Sequence, residues 1–431
     1  MMPPTHAQFE LTERCNNLCT YCYNSWKYDL TSQPPRTASP DSAKQIVQKL
    51  IDYDLFVVIF TGGEPLLEKD TLLDCAYLCS SNNVTPDLNS NLTLMTMELA
   101  AQLKSAGVNK VMASFTNHDQ KKHDAITQRR GSFDEAVKGM EYSMAAGIDV
   151  VPNMVIMKGT VADVYKTGEF LHKKIGIKNF NGSPIAPESA DIHAGQMLSF
   201  DDQLHVLDQL LALEKDYGIN VRSVITFLPC MLAKVPERDK YVRFMEVECQ
   251  GGSRMISVSP DGGVRTCPPA WASHGNILEE NLEQILDKMH CWRVAPEDTD
   301  SLVPEECRPC VELSNCKGGC RIEACVMTGS LNGKNPYMRE PLKEKLNWRP
   351  EIPSNDYTNS AVSFKGGLKL RSLDDGTHEA MFGNYIMGLT QPELNLLQAL
   401  SEKERVDVQK FCSEHELDPS LVNVFLNRLN S

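Results

Sequence analysis

No stretch of the chain approaches the roughly 18 consecutive apolar residues that a membrane-crossing helix needs, and the N-terminus shows no signal-peptide core. The sequence therefore predicts a soluble, cytoplasmic protein. Positive charge is also in short supply. Against 57 acidic side chains stand 43 basic ones, a net charge of −14, which argues against nonspecific nucleic-acid binding. Cysteine, by contrast, is plentiful, with 15 in 431 residues, many spaced C-x2-C or C-x3-C. That spacing without a secretory signal points to metal ligation in a reducing compartment rather than to disulfides. A chain of this length with 42% apolar residues can bury a large core and divide into two or three domains.

The first cysteine group follows a short apolar-alternating stretch, Ala7 to Leu11, in the run Thr12-Glu13-Arg14-Cys15-Asn16-Asn17-Leu18-Cys19-Thr20-Tyr21-Cys22. Three soft thiolates on one loop can hold three irons of a cubane 4Fe-4S cluster and leave the fourth iron open for catalysis. Three such thiols also suit zinc, and spacing alone leaves both readings standing. A second hydrophobic run, Leu55 to Phe60, ends in Thr61-Gly62-Gly63-Glu64-Pro65, where two glycines let backbone approach a ligand at a strand end.

The first half repeats a strand-then-helix unit. Strands are predicted at Ala7–Leu11, Leu55–Thr61, Val84–Ser90, Val108–Phe115, Ile148–Ile156 and Lys178–Gly182. Helices are expected after the capping residues Ser39-Pro40-Asp41, Thr93, Ser132 and Thr160. Such a repeat makes a parallel sheet, and by itself does not separate a doubly wound sheet from a barrel.

The C-x3-C-x-aromatic-C run, with Tyr21 as its aromatic, together with Gly62-Gly63-Glu64-Pro65, resembles the radical S-adenosylmethionine (radical SAM) enzymes. That resemblance implies an α/β chain built on a partial, TIM-like (β/α)6 barrel whose chemistry lies at the C-terminal strand ends. It implies that Cys15, Cys19 and Cys22 hold a catalytic 4Fe-4S cluster and that Glu64 is the anionic partner of the S-adenosylmethionine ammonium, with Tyr21, Gly62, Gly63 and Pro65 around the same cofactor. Ser114 is expected at the ribose or carboxylate and Asn153 near the ribose. His123-Asp124 with Arg129-Arg130-Gly131-Ser132-Phe133 resembles the loop that follows the fourth strand, although turn and capping chemistry explains these residues equally well. Ser90-Asn91 closes the third strand.

A second cysteine set, Cys249 followed by Gly262 and Cys267, then Cys307-x2-Cys310-x5-Cys316-x3-Cys320, resembles the SPASM domain, which carries auxiliary iron–sulfur clusters; a zinc ribbon is the plainer alternative. Ser259-Pro260-Asp261-Gly262-Gly263 predicts a hairpin turn. The resemblance assigns Cys249, Cys267 and Cys320 to the first auxiliary cluster, with Cys230 as the best fourth ligand. Cys307, Cys310 and Cys316 are assigned to the second. The downstream cysteine usual in the family is missing: Asn335-Pro336-Tyr337 leads to Met338, and the expectation is either Cys325 as its substitute or, if Cys325 does not reach, an open or noncysteine position on that cluster. Cys75, Cys79 and Cys412 read as buried thiols, and Cys291 stays unassigned.

Beyond residue 346 the composition changes. Arg349-Pro350-Glu351-Ile352-Pro353-Ser354-Asn355-Asp356 reads as a linker. A hairpin is expected from Ala361–Leu370 and Glu379–Met387 around Asp374-Asp375-Gly376-Thr377. Three amphipathic helices should follow, on Leu394, Leu396, Leu397 and Leu400, on Val408 and Phe411, and on Leu421, Val424, Phe425 and Leu429. Hairpin plus helices resembles a PqqD-like peptide-recognition domain, and equally a generic α+β winged-helix module. The expected domains are a barrel at 1–222, a SPASM domain at 223–345 and this module at 346–431.

The resemblance implies reductive cleavage of S-adenosylmethionine to a 5'-deoxyadenosyl radical, using one catalytic and up to two auxiliary 4Fe-4S clusters and an electron donor such as flavodoxin or ferredoxin. The expected substrate is a ribosomally made precursor peptide, altered by a crosslink, an epimerisation or a backbone excision. One alternative is a radical enzyme acting on a small molecule in cofactor biosynthesis, and another is a noncatalytic peptide-binding scaffold. Sulfatase maturation is disfavoured, because Pro268 and Pro269 follow Cys267 where such relatives carry an acid.

Overall fold

The computed structural model describes residues 4–24, 34–187, 193–225, 227–245, 249–346, 361–362, 368–373, 377–382, 385–401, 406–414, 422 and 426. It divides into two compact units, Met1–Leu346 and Asn347–Ser431.

In the first unit six βα repeats run in order: β1 (His6–Thr12), α1 (Pro40–Asp52), β2 (Val57–Gly62), α2 (Lys69–Ser81), β3 (Thr85–Ser90), α3 (Met97–Ser105), β4 (Lys110–Ser114), α4 (Gln120–Thr127), α5 (Ser132–Ala145), β5 (Asp149–Ile156), α6 (Val164–Ile175), β6 (Asn179–Pro184), α7 (Phe200–Tyr217) and β7 (Asn220–Arg222). β1 to β7 are parallel neighbours in sequence order, which gives the partial barrel. One face of the sheet packs on the helices through Phe9, Phe60, Leu88, Val111, Met154 and Phe180. The opposite face carries half-exposed residues in alternation, Met112 and Ser114 on β4 and Val151, Asn153 and Val155 on β5. This alternation follows from the period of two in a strand whose faces meet different surroundings.

Most helix starts follow the capping logic. Ser39 accepts from the Ser42 amide at the head of α1. α3 starts later than Thr93 suggested: Thr96 caps it by accepting from Leu99, while Thr93 turns inward to Asn91 and Asn16. α5 begins at Ser132, and its cap comes from Asp124, which accepts from the Gly131 and Phe133 amides. Thr160 lies in a 3-10 turn, Lys158–Asp163, ahead of α6.

The sheet does not end at β1. β8 (Met255–Val258) pairs parallel to it, β9 (Gly263–Arg265) returns antiparallel, and β10 (Gly275–Asn276) follows, so the order is β10-β9-β8-β1-β2-β3-β4-β5-β6-β7. The β8–β9 turn is the expected one, with Gly262 at φ +88° and its amide on the Ser259 carbonyl. Downstream come α8 (Leu282–Asp287), α9 (His290–Arg293), α10 (Leu313–Cys316) and α11 (Arg321–Thr328).

In the second unit, β12 (Leu368–Ser372), β13 (His378–Phe382) and β14 (Tyr385–Leu389) form an antiparallel sheet, and β11 (Ala361–Val362) pairs with β15 (Val406–Asp407). The first strand of the expected hairpin sits later than Ala361–Leu370, and β14 was not anticipated as a separate strand. α12 (Gln391–Ser401) and α13 (Val408–Glu414) bury Leu394, Leu397, Leu400, Val408 and Cys412 against Ala380 and Leu389. The Arg349–Asp356 linker, the turn residues Asp374, Asp375 and Gly376, and the third helix at Leu421, Val424, Phe425 and Leu429 lie outside the described residues.

Candidate active site

The three-cysteine loop leaves the C-terminal end of β1 and is fastened on two sides. The Leu18 and Thr20 amides donate to the Thr127 and Ile126 carbonyls at the end of α4, at 3.0 and 2.9 Å, and the Cys22 amide closes a turn on the Cys19 carbonyl at 3.1 Å. On the other side lies the Gly62-Gly63 turn. The Gly63 amide donates to the Thr12 carbonyl at 2.6 Å and the Glu64 amide to the Arg14 carbonyl at 2.8 Å. A Cβ on Gly63 would fall 1.9 Å from the Arg14 carbonyl oxygen, and Gly62 combines φ +137° with a virtual Cβ 2.2 Å from the Thr12 oxygen. Here the glycines admit the chain's own backbone, so the turn after β2 sets where the cysteine loop begins.

Glu64 is fully buried, and its carboxylate fastens strand ends together. One oxygen accepts from the Leu66 amide at 3.0 Å and the Ser90 hydroxyl at 2.7 Å, the other from the Asn91 amide at 2.8 Å. Asn91 reaches on to the loop, its side-chain amide donating to Asn16 at 2.9 Å and pointing at Cys15 Sγ at 3.9 Å. The Asn17 amide lies 3.5 Å from the same sulfur. Glu64 thus acts through Asn91 on the cysteine loop, a link absent from the sequence reading. Pro65 opens the 3-10 turn Pro65–Glu68 that Glu64 caps. Tyr21 is raised well above its ordinary pKa by burial and by hydrogen bonding to Cys19.

Ser114, at the end of β4, and Asn153, within β5, are register partners on the open face of the sheet. Asn153 accepts from the Ser183 hydroxyl at 3.1 Å. The His123-Asp124 segment is structural: His123 is buried against Phe115 and Phe133, burial lowers its pKa to about 4, and Asp124 caps α5.

Two further thiol groups form beside β1. A Cβ on Gly251 would sit 3.4 Å from Cys267 Cβ and 3.8 Å from Cys249 Sγ, so the β8–β9 hairpin brings those two residues to one place. Cys320 joins them: burial, then Glu323, Cys249 and Cys267, push its thiol well above the usual range. Burial and Cys249 raise the Cys267 thiol to about 12. The second group differs from expectation. Cys230 lines one cavity with Cys307, Cys310 and Cys316, away from the group to which it had been assigned, and Cys325 is not among the residues lining that cavity. Burial raises Cys307 to about 11 and Cys316 to about 12, so these thiols resist ionisation until a cation draws the proton off. Leu228, Pro229, Leu313, Met338 and Pro341 line the same cavity, as do Glu312 and Arg339. Soft thiols in an apolar cavity fit an iron–sulfur cluster.

A backbone device separates the groups. Lys317, Gly318 and Gly319 take φ values of +52°, +75° and +80°, a left-handed turn that diverts the chain between Cys316 and Cys320. Cys75, Cys79 and Cys412 are buried in the cores of their own units, as expected of packing thiols.

Comparison with known proteins agrees with this geometry. Residues 9–171 match the model of the radical SAM superfamily, and residues 249–311 match the SPASM iron-sulfur cluster-binding domain. The AdoMet-dependent heme synthase of Nitratidesulfovibrio vulgaris is 25% identical over 76% of this chain and 90% of the relative. The mycofactocin maturase MftC of Mycolicibacterium smegmatis is 25% identical over 85% of this chain and 91% of its own length. Among solved structures, Streptococcus suis SuiB bound to precursor peptide SuiA superposes with a TM-score of 0.60 at 16% identity, covering 78% of this chain and 75% of that one. The AdoMet-bound anSMEcpe structure gives 0.61 at 19% identity, covering 78% and 90%.

Proposed function

We propose that this chain, a radical SAM enzyme with a SPASM iron–sulfur domain, modifies a ribosomally synthesised precursor peptide. The observation that carries the peptide reading is the second unit. Its sheet order, β12-β13-β14, leaves β12 and β14 as edges among the described residues. An extended leader can add to such an edge through main-chain hydrogen bonds, without a preformed pocket. The PqqA peptide cyclase of Gluconobacter oxydans, at 24% identity over 78% of this chain, is named for a peptide substrate and supports the same reading.

Cys15, Cys19 and Cys22 would hold the catalytic cluster. Bound there with S-adenosylmethionine, that cluster supplies a one-electron cleavage yielding methionine and a 5'-deoxyadenosyl radical able to take hydrogen from an unactivated carbon. The chain's own work is positioning. The Asn17 amide and the Asn91 side chain direct N–H groups at the Cys15 sulfur, and N–H groups aimed at a ligand sulfur tune a cluster's potential. Glu64 fixes Asn91. Gly62, Gly63 and Pro65 leave backbone room at the strand ends, while Ser114 and Asn153 offer polar groups for the cofactor's sugar on the open face of the sheet. An external one-electron donor such as flavodoxin or ferredoxin would complete the cycle.

A second reading has specific support: the heme synthases and an Fe-coproporphyrin III synthase of Methanosarcina barkeri are also similar to this chain, which favours a small-molecule substrate such as a tetrapyrrole. One truncation separates the two. A chain ending at Leu346 should retain uncoupled 5'-deoxyadenosine formation with dithionite as reductant while losing at least tenfold in affinity for a precursor peptide identified from a short reading frame neighbouring its gene. Undiminished peptide affinity would remove the second unit from recognition, and unchanged turnover of a tetrapyrrole without any peptide would favour the alternative.

A further inference from the structure

The cavity lined by Cys230, Cys307, Cys310 and Cys316 is assembled from three separate stretches of chain. Cys307, Cys310 and Cys316 come from one run leading into α10. Cys230 arrives from the 3-10 turn Pro229–Lys234, which precedes β8. The third stretch carries Met338 and Arg339. Met338 Sδ lies 3.5 Å from Cys307 Sγ, and the Arg339 amide donates to Cys230 Sγ at 3.3 Å. The Asn335-Pro336-Tyr337 sequence that lacks its usual cysteine therefore delivers a thioether into this cavity.

Packing holds Cys230 there. Leu228 lies against Gly319, where an added Cβ would come within 2.6 Å of Leu228 Cδ2, so the loop before Cys230 sits on the left-handed turn after Cys316. Leu228 and Gly318 both line the cavity itself. Cys325 is on α11, five residues beyond Cys320, and five residues rotate a helix position by about 140°.

We infer that Cys230 is the fourth ligand of the second auxiliary cluster, closing it with four thiolates, and that Met338 occupies the place of the missing downstream cysteine as an uncoordinated apolar wall. The inference rests on the SPASM reading and is independent of the substrate. A cluster with every iron ligated by cysteine has no vacant position for substrate, so this site transfers electrons and does not bind the molecule being modified. Cys249, Cys267 and Cys320 are then three thiols without Cys230.

The test counts iron and sulfide and records Mössbauer spectra on full-length protein reconstituted with 57Fe, in a background carrying Cys15→Ala, Cys19→Ala and Cys22→Ala. In that background about eight irons are expected. Cys307→Ser should remove up to about four of them, and adding Cys230→Ser should remove no more. Adding Cys230→Ser to Cys249→Ser should strip both clusters. The opposite pattern, additive with Cys307→Ser and silent with Cys249→Ser, returns Cys230 to the first cluster and overturns the inference. Loss of a cluster on Cys325→Ser with none on Cys230→Ser overturns it too. A background protein binding fewer than about four irons would sink the SPASM reading itself, a distinct failure. Should Cys230→Ser fold poorly, alkylation of the unmutated chain during iron titration decides: Cys230 must become protected in step with Cys307, Cys310 and Cys316, and protection in step with Cys249, Cys267 and Cys320 refutes the assignment.

Discussion

At Gly63 one methyl group would meet the Arg14 carbonyl oxygen at 1.9 Å, and because that neighbour is backbone, no side-chain rotation can relieve the clash. Gly63→Ala should therefore displace the start of the cysteine loop. The expected result is loss of about four irons per chain with auxiliary iron retained, and at least a hundredfold less 5'-deoxyadenosine, measured by iron analysis and chromatography. Full iron and activity would show that the glycine pair does not position the loop. The thiol runs and the Gly-Gly turn could be picked out of the sequence because their spacing is local. Their partners could not. The protein partners of Glu64, the Leu66 and Asn91 amides and the Ser90 hydroxyl, depend on which strand ends the fold brings beside it. That Cys230 lines a cavity with Cys307, Cys310 and Cys316 was out of reach for the same reason: a separation of 77 residues from Cys307 contains no distance.

Among elements, the link between barrel and auxiliary sites is the β8–β9 hairpin, which extends the barrel sheet beside β1. Glu10 on β1 and Arg265 on β9 form an ion pair at 2.5 Å with side chains 1% and 11% exposed, and Arg265 also donates to the Pro268 and Ala270 carbonyls around Cys267. Nearby, Arg36 bridges Glu13 and Asp261, tying the cysteine loop's entry to the hairpin turn. Glu10→Gln would leave the Arg265 charge buried without its counter-ion, at a cost of about 3 kcal/mol. Denaturant unfolding should show that loss, and Glu10→Met with Arg265→Met together should recover much of it; equal stability of Glu10→Gln and the parent chain would refute a structural role for the pair. The six parallel strands were readable because a buried strand and its following helix have different apolar periods. Helix starts were less so, since Thr93 and Thr96 are both adequate caps, and only the tertiary demand of Asn16 and Asn91 on Thr93 separates them. β14 was merged into the preceding strand although Gly383-Asn384, a two-residue hairpin signal, divides Glu379 to Met387 in the sequence.

For the whole molecule, one unit carries all three thiol groups, two of them at the sheet and its appended hairpin and the third on the turns and short helix that hold Cys230, Cys307, Cys310 and Cys316, and the other is a small antiparallel sheet with helices. Among the described residues no helix is long and apolar enough to cross a membrane. This division matches the proposed chemistry: the thiol groups proposed for radical generation and electron transfer lie in the first unit, and the proposed peptide recognition in the second. The most direct measurement is anaerobic reconstitution followed by iron and sulfide analysis, comparing the parent chain with Cys15→Ala/Cys19→Ala/Cys22→Ala during reductive S-adenosylmethionine cleavage. About twelve irons falling to about eight, with 5'-deoxyadenosine abolished, is the predicted result. Roughly four irons together with bound zinc would contradict the account, confining redox chemistry to the barrel and leaving the second and third thiol groups as zinc sites.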